Sequence, residues 1–315
     1  MIVTVTPNPA WDVTYHLDRV VWAGANRPAS VAGRAGGKGV NVARVLRGLG
    51  VPVVAVAPLG GPVGERIRAD LAAADIALTA VTVAEETRCS TTVVESTGDA
   101  TSFNEPGRAM TPREWDALVA AVRRLLPGAS ALVLSGSLPP GVPHTGHAEL
   151  VTLARAGGVP VLLDASGPAL LAGLAAGPDV VKPNADELRE ATGRAEPVGA
   201  AAELARTLAR ARDDADTGAV VASLGPDGLL AGTAAGWWRA RPPAAVRGNP
   251  TGAGDAAVAA LARGMAERSG WPERLRDAVA LSAAAVAAPF AGDVDHAAYT
   301  RWRPRVHVAR VPPAT

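Results

Sequence analysis

Two hydrophobic periods alternate along the chain. Short apolar runs rich in Val, Ile and Leu recur at Ile2–Thr6, Val53–Ala57, Ala131–Leu134, Val159–Leu163, Asp179–Val181 and Ala219–Ser223. Between them, apolar residues return every three or four positions, as at Val42, Val45, Leu46 and Leu49. Continuous apolar runs mark strands buried on both faces, and the longer period marks the helices that cover them. The pattern predicts helices opening at Gly36-Gly37-Lys38-Gly39 and spanning about 64–74, 111–126, 146–156, 199–212, 255–268 and 273–288, with others following Ser166 and Ala185. Thr111-Pro112-Arg113-Glu114 reads as a capping box with Pro at the first helical position, and Gly50 reads as a helix stop. Strands alternating with helices predict an α/β fold with a mostly parallel sheet covered on both sides.

Two segments break this rhythm. Val13-Thr14-Tyr15-His16-Leu17 alternates as a strand does, and Thr91–Glu95, a Gly98-Asp99 turn and Ala100–Asn104 read as a hairpin. The expected division is a core of 1–10, 36–85 and 107–315, with 11–35 and 86–106 forming a small β lid. Gly225-Pro226-Asp227-Gly228 turns into a further hairpin through Trp237-Trp238, and the chain ends in two Ala-rich helices and a short tail.

In open sheets of this kind ligands lie beyond the carboxyl ends of the strands. The loops there are 7–12, 36–41, 135–141, 182–187, 223–228 and 249–255. The last carries Asp255 immediately after Gly252-Ala253-Gly254, ahead of an Ala-rich helix. Glycines at a helix start turn free amides towards one point, where the helix dipole favours an anion. A carboxylate beside such a nest suits a base taking a proton from a hydroxyl while the amides hold charge on a transferred phosphoryl group. A bare helix cap is the alternative for these residues alone.

Composition narrows the classes. With 31 basic and 30 acidic residues the net charge is +1, which gives no footprint for nucleic acid or an anionic membrane. A single cysteine, Cys89, excludes an internal disulfide and a cysteine zinc site. The first residues enter a strand at once, and the apolar run Ala278–Phe290 is too short to span a bilayer, so a cytoplasmic protein is expected. Only two of the 31 basic residues are lysine, Lys38 and Lys182, and both lie in turns. In so Arg-biased a chain, each marks a place that wants a compact ammonium.

Other motifs fail. No Gly-x-x-x-x-Gly-Lys-Ser/Thr loop is present, Val42 spoils a dinucleotide fingerprint, and no Gly-x-Ser-x-Gly elbow surrounds Ser135 or Ser137. His144 and His147 read as solvated loop histidines.

Taken in order, Thr6-Pro7-Asn8-Pro9-Ala10-x-Asp12, Gly36-Gly37-Lys38-Gly39-Val40-Asn41, Thr87-Arg88, Ser135-Gly136-Ser137-Leu138-Pro139-Pro140-Gly141, Lys182-Pro183-Asn184-x-x-Glu187, Ser223-Leu224-Gly225-x-Asp227-Gly228 and Gly252-Ala253-Gly254-Asp255 resemble the PfkB (ribokinase-like) carbohydrate kinases over nearly the whole chain. The set looks most like the 1-phosphofructokinase and tagatose-6-phosphate kinase branch. The resemblance implies a three-layer α/β/α domain with a small β-sheet lid, often dimeric through that lid. It implies Asp255 as base and Gly252, Ala253 and Gly254 as anion hole. Asp12, Gly37 and Asn41 would read sugar hydroxyls, and Arg27, Lys38, Arg88 and Ser137 would hold the phosphate already on the sugar. Lys182, Asn184, Ser223, Gly225 and Gly228 would serve ATP, and Glu187 would position Mg²⁺ through water. Some members bind a monovalent cation near the anion hole. Here Asn249-Pro250-Thr251 replaces the usual Thr-Val or Ser-Val, which leaves K⁺ open. The expected reaction is phosphorylation of fructose 1-phosphate by ATP. Tagatose 6-phosphate or fructose 6-phosphate is the alternative within the class, and a catalytically silent sugar-phosphate or nucleotide-binding regulator the alternative outside it.

Overall fold

A computed structural model of the chain describes residues 1–212, 218–233, 235–246 and 248–312. The amino-terminal half runs β1 (Ile2–Val5), β2 (Ala10–Leu17), β3 (Ser30–Gly36), α1 (Lys38–Gly48), β4 (Val53–Leu59), α2 (Gly61–Ala73), β5 (Ala77–Thr82), β6 (Arg88–Glu95), β7 (Ala100–Asn104) and α3 (Pro112–Leu125). A regular alternation follows in β8 (Ala131–Ser135), α4 (Gly146–Ala156), β9 (Val161–Asp164), α5 (Gly167–Ala175), β10 (Val180–Val181), α6 (Ala185–Thr192), α7 (Pro197–Ala211) and β11 (Ala219–Ser223). The chain closes with β12 (Leu229–Thr233), β13 (Gly236–Arg241), α8 (Ala253–Ala266), α9 (Trp271–Val286), α10 (His296–Trp302) and β14 (His307–Val311).

Among the described residues the main sheet has the order β14-β13-β12-β11-β10-β9-β8-β1-β4-β5. The strands from β5 to β11 run parallel, and β12, β13 and β14 add an antiparallel edge. Alternate residues of each parallel strand enter opposite cores. Ile2, Ala131 and Val133 pack with α1, α2, α8 and α9, while Val3, Leu132 and Leu134 pack with α3, α4, α5 and α7. The result is a three-layer α/β/α domain. The Thr111 capping box forms as expected: Thr111 Oγ1 accepts from the Glu114 amide at 3.3 Å, and Glu114 Oε2 accepts from the Thr111 amide at 2.7 Å.

Two features differ from the sequence reading. The sequence reading names no strand between the helix over 64–74 and the hairpin, yet β5 lies there, parallel to β4 at the edge of the main sheet. The expected short tail is α10 and β14, with β14 paired to β13. This tail is tied down by buried Asp277, which accepts hydrogen bonds from Arg263, Tyr299 and Arg303. Their attraction across three elements has no periodic signature in sequence.

The second sheet has the order β3-β2-β6-β7. Its pairing aligns Asp12 with Arg34 and Ser90, and Ser90 with Asn104. Directly opposed residues share a face and neighbours along a strand do not. One face therefore carries Asp12, Arg34, Arg88, Ser90 and Asn104, and the other carries Val13, Tyr15, Val31, Val93 and Phe103.

Candidate active site

The main sheet reverses its winding at β1, which has β4 on one side and β8 on the other. A cavity of about 950 Å³ opens past the carboxyl ends of the strands, and residues of the second sheet complete its wall. Gly252 caps α8 with φ 85°, a left-handed conformation that glycine adopts without strain. The Ala253 amide donates to the Pro250 carbonyl at 3.2 Å, closing the turn. Among the described residues the amides of Gly252, Gly254 and Asp255 have no such partner, so they are the amides of the 252–255 turn free to face a ligand.

Asp255 sits in the first turn of α8, buried, with Oδ2 accepting a 2.8 Å hydrogen bond from Asn41 Nδ2. Burial, helped by the charge of Asp164, raises its pKa to about 7, against the pull of Lys38, Asn41 and Lys182. A carboxylate there is a stronger base than one in water and is about half ionised near neutrality.

The glycine run before α1 answers to sterics. A Cβ on Gly36 would stand 1.9 Å from Asp12 Oδ2, and one on Gly39 would stand 2.5 Å from Thr6 Oγ1. The backbone thus passes close enough for the Gly37 amide to hydrogen-bond the Asp12 carboxylate. Burial raises Asp12 to about 6, opposed by Arg88, Gly37 and Arg34. Arg88 is fixed by donating to the carbonyls of Glu105 at 2.5 Å and Asn8 at 3.1 Å. Asn8 Nδ2 reaches Ser137 Oγ at 3.2 Å, bridging the loops after β1 and β8.

A second cluster forms around Asp164 at the end of β9. Lys182 Nζ lies 3.0 Å from Asp164 Oδ1, and Lys38 Nζ lies 3.5 Å from Oδ2 and 3.7 Å from Glu187 Oε1. Burial alone would raise Asp164, but Lys182, Lys38 and the Ser135 hydroxyl outweigh it and hold the group at about 2. The same attraction from Asp164 pushes Lys38 up, so that lysine stays charged. Asn184 and Glu187 form a capping box for α6, with reciprocal bonds of 2.8 Å that leave Glu187 Oε1 turned to Lys38. Ser223 adjoins this cluster through a bridge to Asn184, and Gly225 and Gly228 line the same end of the cavity with positive φ.

Most of the expected residues therefore meet in one cavity, with one exception. Arg27, expected on the sugar's phosphate, lies in the exposed loop between β2 and β3 and does not line the cavity of its own chain. Lys38, also expected on that phosphate, lines the cavity with its ammonium near Asp164 and Glu187. His147 also departs from the sequence reading. It is fully buried rather than solvated, its Nε2 lies 3.0 Å from the Gly136 carbonyl, and burial lowers its pKa to about 4. The residues sequence reasoning passed over are Asp164, Asn8, Ser90 and Asn104. Asp164 had one signal, an acid directly ending a buried strand. Ser90 and Asn104, joined at 2.9 Å, reach the cavity only through strand pairing.

The model of the pfkB family of carbohydrate kinases matches residues 8–296. The chain belongs to that family. The kinase is 33% identical over 296 residues to the 1-phosphofructokinase of Escherichia coli K12, covering 93% of each chain. It is 38% identical over 262 residues to the 1-phosphofructokinase of Rhodobacter capsulatus, covering 82% of each. Among solved structures it resembles phosphofructokinase-2 from Escherichia coli in complex with potassium, with a TM-score of 0.88 and 31% identity over 96% of this kinase and 98% of that chain. The ribokinase-like fold and the assignment as a carbohydrate kinase follow.

Proposed function

We propose that this kinase transfers the terminal phosphoryl group of ATP to the free primary hydroxyl of fructose 1-phosphate, giving fructose 1,6-bisphosphate. The observation that carries the reading is Asp255: a buried carboxylate with a pKa near 7, beside unpartnered helix amides and within the field of two lysines. Asp12 and Asn41 orient the sugar, and Arg88 with Ser137 takes its phosphate through charge-assisted contacts. Asp255 accepts the proton of the attacking hydroxyl. The amides of Gly254 and Asp255, with Lys182, meet the charge on the transferring group. Nucleotide occupies the end lined by Asn184, Ser223, Gly225 and Gly228. The names of the relatives support the phosphorylated ketohexose.

Mg²⁺ fits this donor set as a hydrated ion. Among the described residues no three acids or histidines converge as a cage, yet Asp164 and Glu187 flank the phosphate end. Asn184, Glu187 and Asp164 would hold it through water and phosphate, and it supplies neutralisation of the phosphate oxygens. K⁺ enters as an ion to vary: turnover in potassium against sodium salts decides whether the 249–251 loop, with its proline, holds one. The second sheet serves as a lid over the sugar, and its outer face as the contact for a homodimer.

ADP release with Mg-ATP tests the reading against fructose 1-phosphate, fructose 6-phosphate, tagatose 6-phosphate, fructose and ribose. The expected result is a kcat/KM preference for fructose 1-phosphate, and Asp255→Asn should lower kcat by about 10³-fold or more while the sugar phosphate still binds. The likeness to phosphofructokinase-2 keeps fructose 6-phosphate as the second reading, which a reversed preference would establish. Nucleotide binding without turnover on any sugar would instead make the chain a regulator.

A further inference from the structure

The turn at 290–293 joins two parts of the site that the chemistry uses separately. On one side it grips the second sheet. Arg34 Nη2 donates to Asp293 Oδ1 at 2.9 Å, and the Arg34 guanidinium lies 5.6 Å from the centre of the Phe290 ring. The His16 ring meets Phe290 edge-on at 6.4 Å. Arg34 is the cross-strand neighbour of Asp12, and the alternation of β2 puts His16 on the same face.

On its other side the turn packs its backbone and the Ala291 methyl closely against the anion nest. A Cβ on Gly252 would stand 2.8 Å from Ala291 Cα, and one on Gly292 would stand 3.3 Å from Asn41 Oδ1 and 3.2 Å from Arg44 Cδ. The contacts close into a ring. Arg44 pairs with Asp70 at 2.5 Å, and Asp70 accepts from the Ala35 amide at 3.0 Å, which returns to β3 one residue from Arg34. The Asp293 amide donates to the Phe290 carbonyl at 3.1 Å, keeping the turn itself stiff.

We propose that the 290–293 turn couples the sugar-reading sheet to the anion nest, with Arg34 and Phe290 as positioning residues. A sugar drawn onto Asp12 shifts β2 and β3 together, and Arg34 carries that shift to the turn. Only backbone and the Ala291 methyl stand between the turn and Gly252, and Gly292 abuts the Asn41 side chain directly, so the nest amides and the hydrogen bond on Asp255 move with the turn. Transfer is sensitive to displacements well under an ångström, so a nest aligned only when sugar is seated favours transfer to the sugar over transfer to water.

Amide exchange and steady-state kinetics, measured on the full chain, test this. The kinetic arm rests on the kinase reading, while exchange of the ligand-free protein does not. Phe290→Ala and Arg34→Gln should each speed exchange at residues 250–257 by about fivefold or more, with exchange at 131–135 unchanged. Both should lower kcat by about tenfold and leave the KM for ATP within about twofold. Phe290→Tyr, which keeps the ring, should match the parent in both readouts. Unchanged exchange at 250–257 would overturn the coupling, as would faster exchange at 131–135, which reports general loosening. A defect confined to the KM of the sugar would overturn it too. If the parent protein turns over no sugar phosphate, the kinase reading falls and exchange still decides the coupling.

Discussion

At the scale of single residues, the site runs on buried charge. Asp255 holds a proton between about pH 4 and 7 that the unfolded chain would release, so its folded pKa of about 7 favours folding on the acid side. That contribution is lost as pH rises through 7. Asp255→Asn should therefore raise the melting temperature at pH 8 more than at pH 5, by the equivalent of up to about 3 kcal/mol; scanning fluorimetry at the two pH values checks this, and equal shifts would contradict it. As the proposed base, the same group sets activity in the opposite sense, since it must be ionised to accept a proton. The kcat/KM of the parent protein should climb with pH and level off above about 7. Asp164 is buried between two lysines, and Asp164→Asn leaves Lys182, itself only 3% exposed, without its counter-charge. Urea unfolding should show a loss of about 3–5 kcal/mol.

Helix termini and strand ends do double duty at the scale of elements. The Asn184-x-x-Glu187 box caps α6 with one Glu187 oxygen and faces Lys38 with the other. Glutamine fills a capping box as glutamate does, so Glu187→Gln separates the two roles. Its melting temperature should stay within about 1 °C of the parent while turnover at limiting Mg²⁺ falls by about tenfold or more. A melting point that drops with activity intact would assign Glu187 to the cap alone. The capping box at Thr111 was legible in sequence as a spacing of three residues, because its partners lie within one turn; the same spacing at Asn184 reads, by resemblance, as an ion-positioning pattern instead. Edge strand β5 and the α10–β14 tail were not, since β5 is ordinary alternation until β4 lies beside it, and β14 needs β13 to be a strand at all.

For the whole molecule, the second sheet has one face on the cavity and the other uncovered. Val31 and Phe103 on that outer face are 60% and 54% exposed, and Trp22 in the neighbouring loop is 76% exposed. An apolar sheet face of this kind wants a partner, and a second copy offers the complementary one. Sedimentation should find a dimer, and Val31→Asp with Phe103→Asp should give monomers that keep their fold. A parent protein that sediments as a monomer at micromolar concentration would end the dimer proposal.

The sequence by itself determined the layered α/β plan and the interruption by a second sheet, and it set the glycine run and Asp255, the proposed base, at the start of α8. Each of these is written in local spacing: hydrophobic period, glycine placement, or a motif within one loop. Only the tertiary structure decided how charges pair. It paired Lys38 with Asp164, left Arg27 outside its own cavity, buried His147, and joined Arg34 to the turn behind Gly252. Those outcomes depend on distances between elements far apart in the chain, where Coulomb attraction and desolvation compete over a few ångströms that no one-dimensional pattern records.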